Sequence, residues 1–219
     1  MSLGLILLPA VSVLVLIGAA QRVLDRMQLS DRAALIIAAA IFFGSLIPDI
    51  RLGPVEVNVG GALAPLAVCI WLLIKTDTVR EVRRALLGSL LTGAVIYALG
   101  RLLPDEPERM AIDPLYLYGA VGGLVAYLLG RSRRAAFICG VLGVMLADTA
   151  RAIVTWAQGI SQTLRLGGAG IMDAIVLSGL IAVLLAELTG EVIERLARPR
   201  SRENADPVEL PARRGGSRW

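Results

Sequence analysis

Long apolar runs broken by short polar connections dominate the chain. Taking about 20 residues as a bilayer crossing, the runs predict helices at about 3 to 20, 33 to 48, 61 to 75, 83 to 103, 114 to 130, 135 to 157 and 169 to 192. The expected fold is therefore an all-α polytopic membrane protein of about seven transmembrane helices. Several runs fall short of a full crossing, which leaves re-entrant or broken geometry open for the third and fifth. Two short alternating stretches, PVEVNV and SQTLRL, precede the third and seventh runs and read as extended segments rather than helix. The transmembrane domain spans 1–195. Residues 196–219 (ARPRSRENADPVELPARRGGSRW) are charged and aperiodic, as expected of a disordered cytoplasmic tail.

Composition agrees with this class. Of the 219 residues, 56% are hydrophobic and only 5% aromatic, with a mean hydropathy of +0.72. The apolar mass is thus Leu, Ala, Val and Ile, as in lipid-facing helices. The chain has no histidine, which removes mechanisms that need imidazole as base, relay or zinc ligand. Cys69 and Cys139 sit mid-way along separate apolar runs and read as small buried hydrophobes. No metal, cofactor or nucleic acid is expected, and the bilayer is the one sure partner. The first run lacks a basic segment ahead of it, so it reads as a retained helix rather than a signal peptide.

Most of the 22 Lys and Arg residues fall in alternate connections: Arg22, Arg26 and Arg32, then Lys75, Arg80, Arg83 and Arg84, then Arg131, Arg133 and Arg134, then the tail. Basic connections stay in the cytoplasm. This puts the chain in a cytoplasmic (inner) membrane with its N-terminus outside and its C-terminus in the cytoplasm.

Two stretches look duplicated. VNVGGA at 57–62 and LRLGGA at 164–169 each lead into an apolar helix, and LIPDIR at 46–51 and MLADTAR at 145–151 lie upstream of them. Each unit reads as a helix ending in Asp and Arg, an extended segment, a double glycine and a returning helix. Four helices separate the copies, so they share an orientation and suggest a parallel arrangement of three helices, a linker helix and three more. The extended pieces would pair with one another or line a polar cavity, because lone backbone cannot lie in lipid. The glycines at 60, 61, 167, 168 and 170 permit either a tight turn approaching a substrate or close packing.

Two carboxylates stand out within the apolar runs. Asp148 lies about two turns before the external end of the sixth run, and Asp173 about one turn into the seventh. An acid within a span is costly and usually faces a cavity or a partner. Arg151, three residues after Asp148, can pair with it locally. For Asp173 the nearest partner in sequence is Arg165, and the alternative is that it caps exposed N–H groups. Should the two acids meet, they could hold and release one proton or cation, or act as acid and base in peptide hydrolysis. Asp49, Asn58, Gly60, Gly61, Pro65, Arg151, Gly167, Gly168 and Gly170 complete the candidate binding residues.

The segments EVNVGGALAPLAVCIWLLIK (56–75), CGVLGVMLADTARAI (139–153) and LGGAGIMDAIVLSGLIAVLLAE (166–187) resemble, in order and spacing, a bacterial and archaeal membrane family called domain of unknown function 1614. The resemblance spans about residues 40 to 187. It implies a polytopic membrane protein of unassigned biochemistry. A looser likeness links Gly168, Gly170 and Asp173 to the glycine-x-glycine-Asp turn of presenilin-type intramembrane proteases. Here Ile171 and Met172 intervene before the acid, and the Ala64-Pro65-Leu66 element comes earlier in the chain than in those proteases.

Three functions follow as expectations. The first is a small proton- or cation-coupled transporter or exchanger acting on a small solute. The second is an intramembrane aspartyl hydrolase cutting a membrane peptide with Asp148 and Asp173 as acid and base. The third is a non-catalytic assembly or signalling subunit. Self-association into a homo-oligomer is open in each.

Overall fold

The computed structural model describes residues 31–76, 78–103, 113–130 and 132–197, with backbone alone for 31–35 and 191–197. The helix expected at 3–20, most of the loop PDEPERMAIDP and the tail from 198 lie outside the described residues. Among the described residues there are six α-helices: α1 (Asp31–Ser45), α2 (Ala64–Ile74), α3 (Val79–Leu102), α4 (Pro114–Gly130), α5 (Arg133–Ala157) and α6 (Ala174–Ala197). Each falls on an apolar run. Of these, α3 and α5 are long and apolar enough to cross a membrane by length and composition, while the apolar helical stretches Ile36–Ser45, Val59–Ile74, Pro114–Gly130 and Ala174–Gly190 are shorter.

Helices α3 to α6 form a bundle whose directions follow from named contacts. Ser132, at the start of α5, donates to Glu81 at the start of α3 (2.8 Å). At the other end, Gly100 of α3 meets both Arg151 of α5 and Tyr118 of α4. Thus α3 and α5 run parallel, with α4 opposite. Arg133 of α5 pairs with Glu187 of α6 (2.6 Å), so α6 opposes α5. Helix starts are capped where the sequence supplies oxygen: Asp113 accepts from Leu115 N–H (2.8 Å) ahead of Pro114, and Ser132 accepts from Ala135 N–H (3.1 Å).

Glycines bring the bundle helices close together, around a core that also buries Ile96, Ile138, Ile175 and Leu180. Gly119 and Gly123 of α4 lie against Leu177 and Ile181 of α6, Gly140 of α5 lies on the Ser178 backbone, and Gly143 of α5 meets Thr92 and Gly93 of α3. Outward point Leu87 (62% exposed), Leu90 (60%), Leu128 (64%) and Leu188 (59%). A water-soluble bundle would bury its leucines. Small residues at helix contacts with large apolar ones outside is the arrangement of helices packed in lipid, where helix association relies on close approach. Together with two helices long and apolar enough to cross a membrane, this arrangement is compatible with a membrane protein.

The extended segments form a three-stranded sheet in the order β1 (Ile50–Leu52), β2 (Val55–Val57), β3 (Leu164–Leu166). The β1–β2 hairpin is antiparallel across the two-residue loop Gly53-Pro54. Proline holds the second loop position, so Gly53 takes the positive φ (+63°) that such a turn requires. Strands β2 and β3 pair in parallel, Val55 with Leu164, Glu56 with Arg165 and Val57 with Leu166. The two segments predicted to be extended therefore do pair with one another, and β1 joins them as a strand not foreseen.

Candidate functional site

After β2 the chain enters a π-helical turn, Val59–Leu63, before α2. Asn58 starts it: its side-chain oxygen accepts from Gly60 N–H (3.0 Å) and Gly61 N–H (2.8 Å), and its amide donates to Asp49 (2.9 Å). Asp49 and Asn58 thus form a relay that fixes the first glycine turn. Pro65 follows in the first turn of α2, where its missing N–H costs nothing.

The second glycine turn leads from β3 through a short 3-10 turn, Gly170–Met172, into α6. Asp173 lies at its junction with the helix, one residue before α6 and not inside the first helical turn as expected. The reason is local: one carboxylate oxygen accepts from Ile175 N–H (3.0 Å), capping α6, and the other accepts from Ala169 N–H (3.2 Å), closing the glycine turn. Asp173 is buried (8% exposed).

The two glycine turns touch. A side chain at Gly61 would land on the Gly167 carbonyl, and one at Gly167 on the Gly61 backbone. Gly60 lies against Ile41 and Ser45 of α1, and Gly170 (φ +61°) against the Ser45 side chain. The space beside these four glycines is therefore filled by protein. Gly168 differs, since a Cβ there would meet nothing closer than Arg165 at 3.7 Å.

Asp148 and Arg151 pair on α5 at 3.6 Å, as the three-residue spacing suggests. The pair does not end its helix, in contrast to the expected unit: α5 continues to Ala157, whereas Asp49 lies beyond the end of α1. Asp148 lies within electrostatic range of both Arg151 and Asp173, and each Asp173 oxygen accepts from a backbone N–H rather than from the other acid. The Arg151 guanidinium stacks on the Tyr118 ring (4.9 Å to its centroid), and its Nε and Nη2 have no hydrogen-bond partner. The cluster thus draws on α4, α5 and the start of α6. The described cavities, of about 470, 360 and 450 Å³, are lined by other residues.

Arg165 is not the partner of Asp173. It pairs instead with Glu56 (2.9 Å), which also receives Arg51 (2.8 Å). Strand register decides this, since Arg51, Glu56 and Arg165 are directly opposite one another across the sheet. Glu56 is buried (8%) while both arginines are largely exposed. The signal was present as three triplets of alternating type, IRL, VEV and LRL. Replacing Glu56 by Gln is expected to cost about 1–2 kcal/mol, because two arginines then face an uncharged centre. The loss should shrink in 1 M salt, and a salt-independent loss in thermal unfolding would refute an ionic role for the ladder.

Cys69 and Cys139 are both buried and unbridged, as small apolar residues would be. Glu187, deep in α6, is held by Arg133.

No curated protein and no solved structure matches the chain. A family profile does match, over residues 46–185, a stretch that takes in β1 to β3, both glycine turns, Asp148 and Asp173 and amounts to well over half of the chain. The chain belongs to the family described as Protein of unknown function (DUF1614).

Proposed function

We propose that the protein is a small membrane carrier that exchanges a proton or cation for, or together with, a small solute. Asp148 and Asp173 are its ionisable pair and Arg151 is their counter-charge. The observation that carries this reading is the cluster itself: two carboxylates and one guanidinium drawn together among packed helices of a membrane protein. Fully ionised, it has one negative charge in excess. Uptake of a single proton or cation neutralises it, and in a medium of low dielectric that is a strong coupling. The Arg151 pairing with Asp148, made through Nη2, is long for an ion pair, and neither Nη2 nor Nε makes a hydrogen bond, which leaves the guanidinium free to exchange partners as loading changes.

The same proposal includes the finer topology: seven crossings of the cytoplasmic membrane, N-terminus outside, C-terminus inside, and a parallel repeat of three helices, one linker and three more. The parallel pairing of β2 with β3 and the contact of Gly61 with Gly167 support it, since two related units packed about one axis would bring equivalent turns together.

The test is flux in liposomes containing the purified protein, read with an entrapped pH dye under an imposed potential. Asp148→Asn is expected to lower proton or cation movement by about tenfold or more while the protein elutes as the wild type does. Equal flux in wild type, variant and empty vesicles would sink the carrier reading. Cleavage of a single-span peptide by the same preparation, lost in both Asp→Asn variants, would replace it with the hydrolase reading.

A further inference from the structure

A groove at the end of the bundle opposite the aspartates has no part in the carrier reading. It has a volume of about 360 Å³ and is lined by Arg80, Arg83 and Arg84, by Leu87 and Leu91 of the same helix, and by Leu129 of α4. We infer that it is a binding site for an anionic phospholipid, with the headgroup phosphate on the three arginines and an acyl chain along the leucines.

Three observations lead to this occupant. Positions 80, 84, 87 and 91 follow helical spacing, so they form one stripe of α3 with its charge at one end and its apolar part at the other. At 1.5 Å per residue the stripe is about 16 Å long from Arg80 to Leu91, and its apolar part beyond Arg84 is about 10 Å, which lies within the roughly 15 Å depth of a single leaflet. A lipid with a charged head and the first part of an acyl chain matches that polarity, whereas a free phosphate leaves the leucines unused. Among the described residues no carboxylate is paired with Arg80, Arg83 or Arg84, and the nearby Glu81 is engaged by Ser132. Finally, Leu87 and Leu91 are 62% and 53% exposed, while Leu129 of the neighbouring helix closes one wall. Basic clefts between helices at a bilayer surface bind anionic headgroups in this way. The inference rests on the chain lying in a bilayer and is independent of what the aspartates do.

The experiment is native mass spectrometry of the full-length protein, released from detergent after titration with phosphatidylglycerol or with phosphatidylcholine of the same chains. Wild type is expected to retain phosphatidylglycerol at least tenfold more tightly than phosphatidylcholine, with inorganic phosphate failing to displace it. Each arginine removed should weaken binding about fivefold, so R80Q/R83Q/R84Q should lose about a hundredfold. The charge-preserving R80K/R83K/R84K should keep most of it, and R101Q, at the far end of α3, should change nothing. Equal affinity for both lipids, equal loss in R101Q, or displacement by free phosphate would each overturn the inference. Should the triple glutamine variant fail to fold, the single R84Q and the lysine variant decide it on the same scale.

Discussion

Gly61→Ala is expected to destabilise the protein by about 3 kcal/mol, at the upper end of what overpacking costs, lowering its unfolding midpoint by roughly 6–12 °C in a given detergent. The added methyl has nowhere to go, because its place is taken by the Gly167 carbonyl. Backbone cannot swing aside as a side chain can, so relief requires separating the two turns and with them the β2–β3 pairing. Gly167→Ala should be at least as damaging. It meets Gly61 from the other side and also forces a side chain into φ +72°, which costs about 1–2 kcal/mol by itself. Two neighbouring positions make the comparison sharp. Gly53→Ala at φ +63° has open space around it and should lose only the conformational cost. Gly168→Ala has neither clash nor positive φ and should be neutral or stabilising by up to about 0.5 kcal/mol. Thermal unfolding of the four variants in parallel tests this. If Gly61→Ala and Gly168→Ala melt together, the turns are not in backbone contact.

Asp173→Asn and Asp173→Ala should part company. Asparagine caps helices about as well as aspartate, so Asp173→Asn keeps an oxygen for the Ile175 N–H and should unfold within about 1 kcal/mol of wild type. Alanine leaves both the Ile175 and Ala169 N–H groups without their acceptor and should cost about 2 kcal/mol. Flux should follow charge instead: both variants lose the carboxylate and both should transport about tenfold less. Stability and flux measured on the same preparations then separate two roles that one residue combines. An Asp173→Asn protein that is stable and transports normally would reduce Asp173 to a helix cap.

Much of the architecture was legible in the apolar pattern. Every described helix coincides with an apolar run, and α4 matches its run, 114–130, at both ends. The largest shift came at the seventh run, where the apolar residues from 169 are a glycine turn and α6 starts only at Ala174. Hydrophobicity does not distinguish a buried turn from a helix when both exclude water. The Asp148–Arg151 pair was also readable, since residues three apart on a helix are neighbours whatever surrounds them. The partner of Arg165 was not, because the distance along the chain to Glu56 says nothing until strand register is known. Likewise, the double glycines announced close approach without saying to what.

By itself, then, the sequence determined the class of protein, the positions of its helices and the local pairings, because each follows from solvent and from the repeat of a single element. Tertiary structure decided that Gly61 meets Gly167 and that Glu56 pairs with Arg165. These are contacts between segments about a hundred residues apart. Such contacts depend on how helices and strands pack together, and no local propensity encodes that.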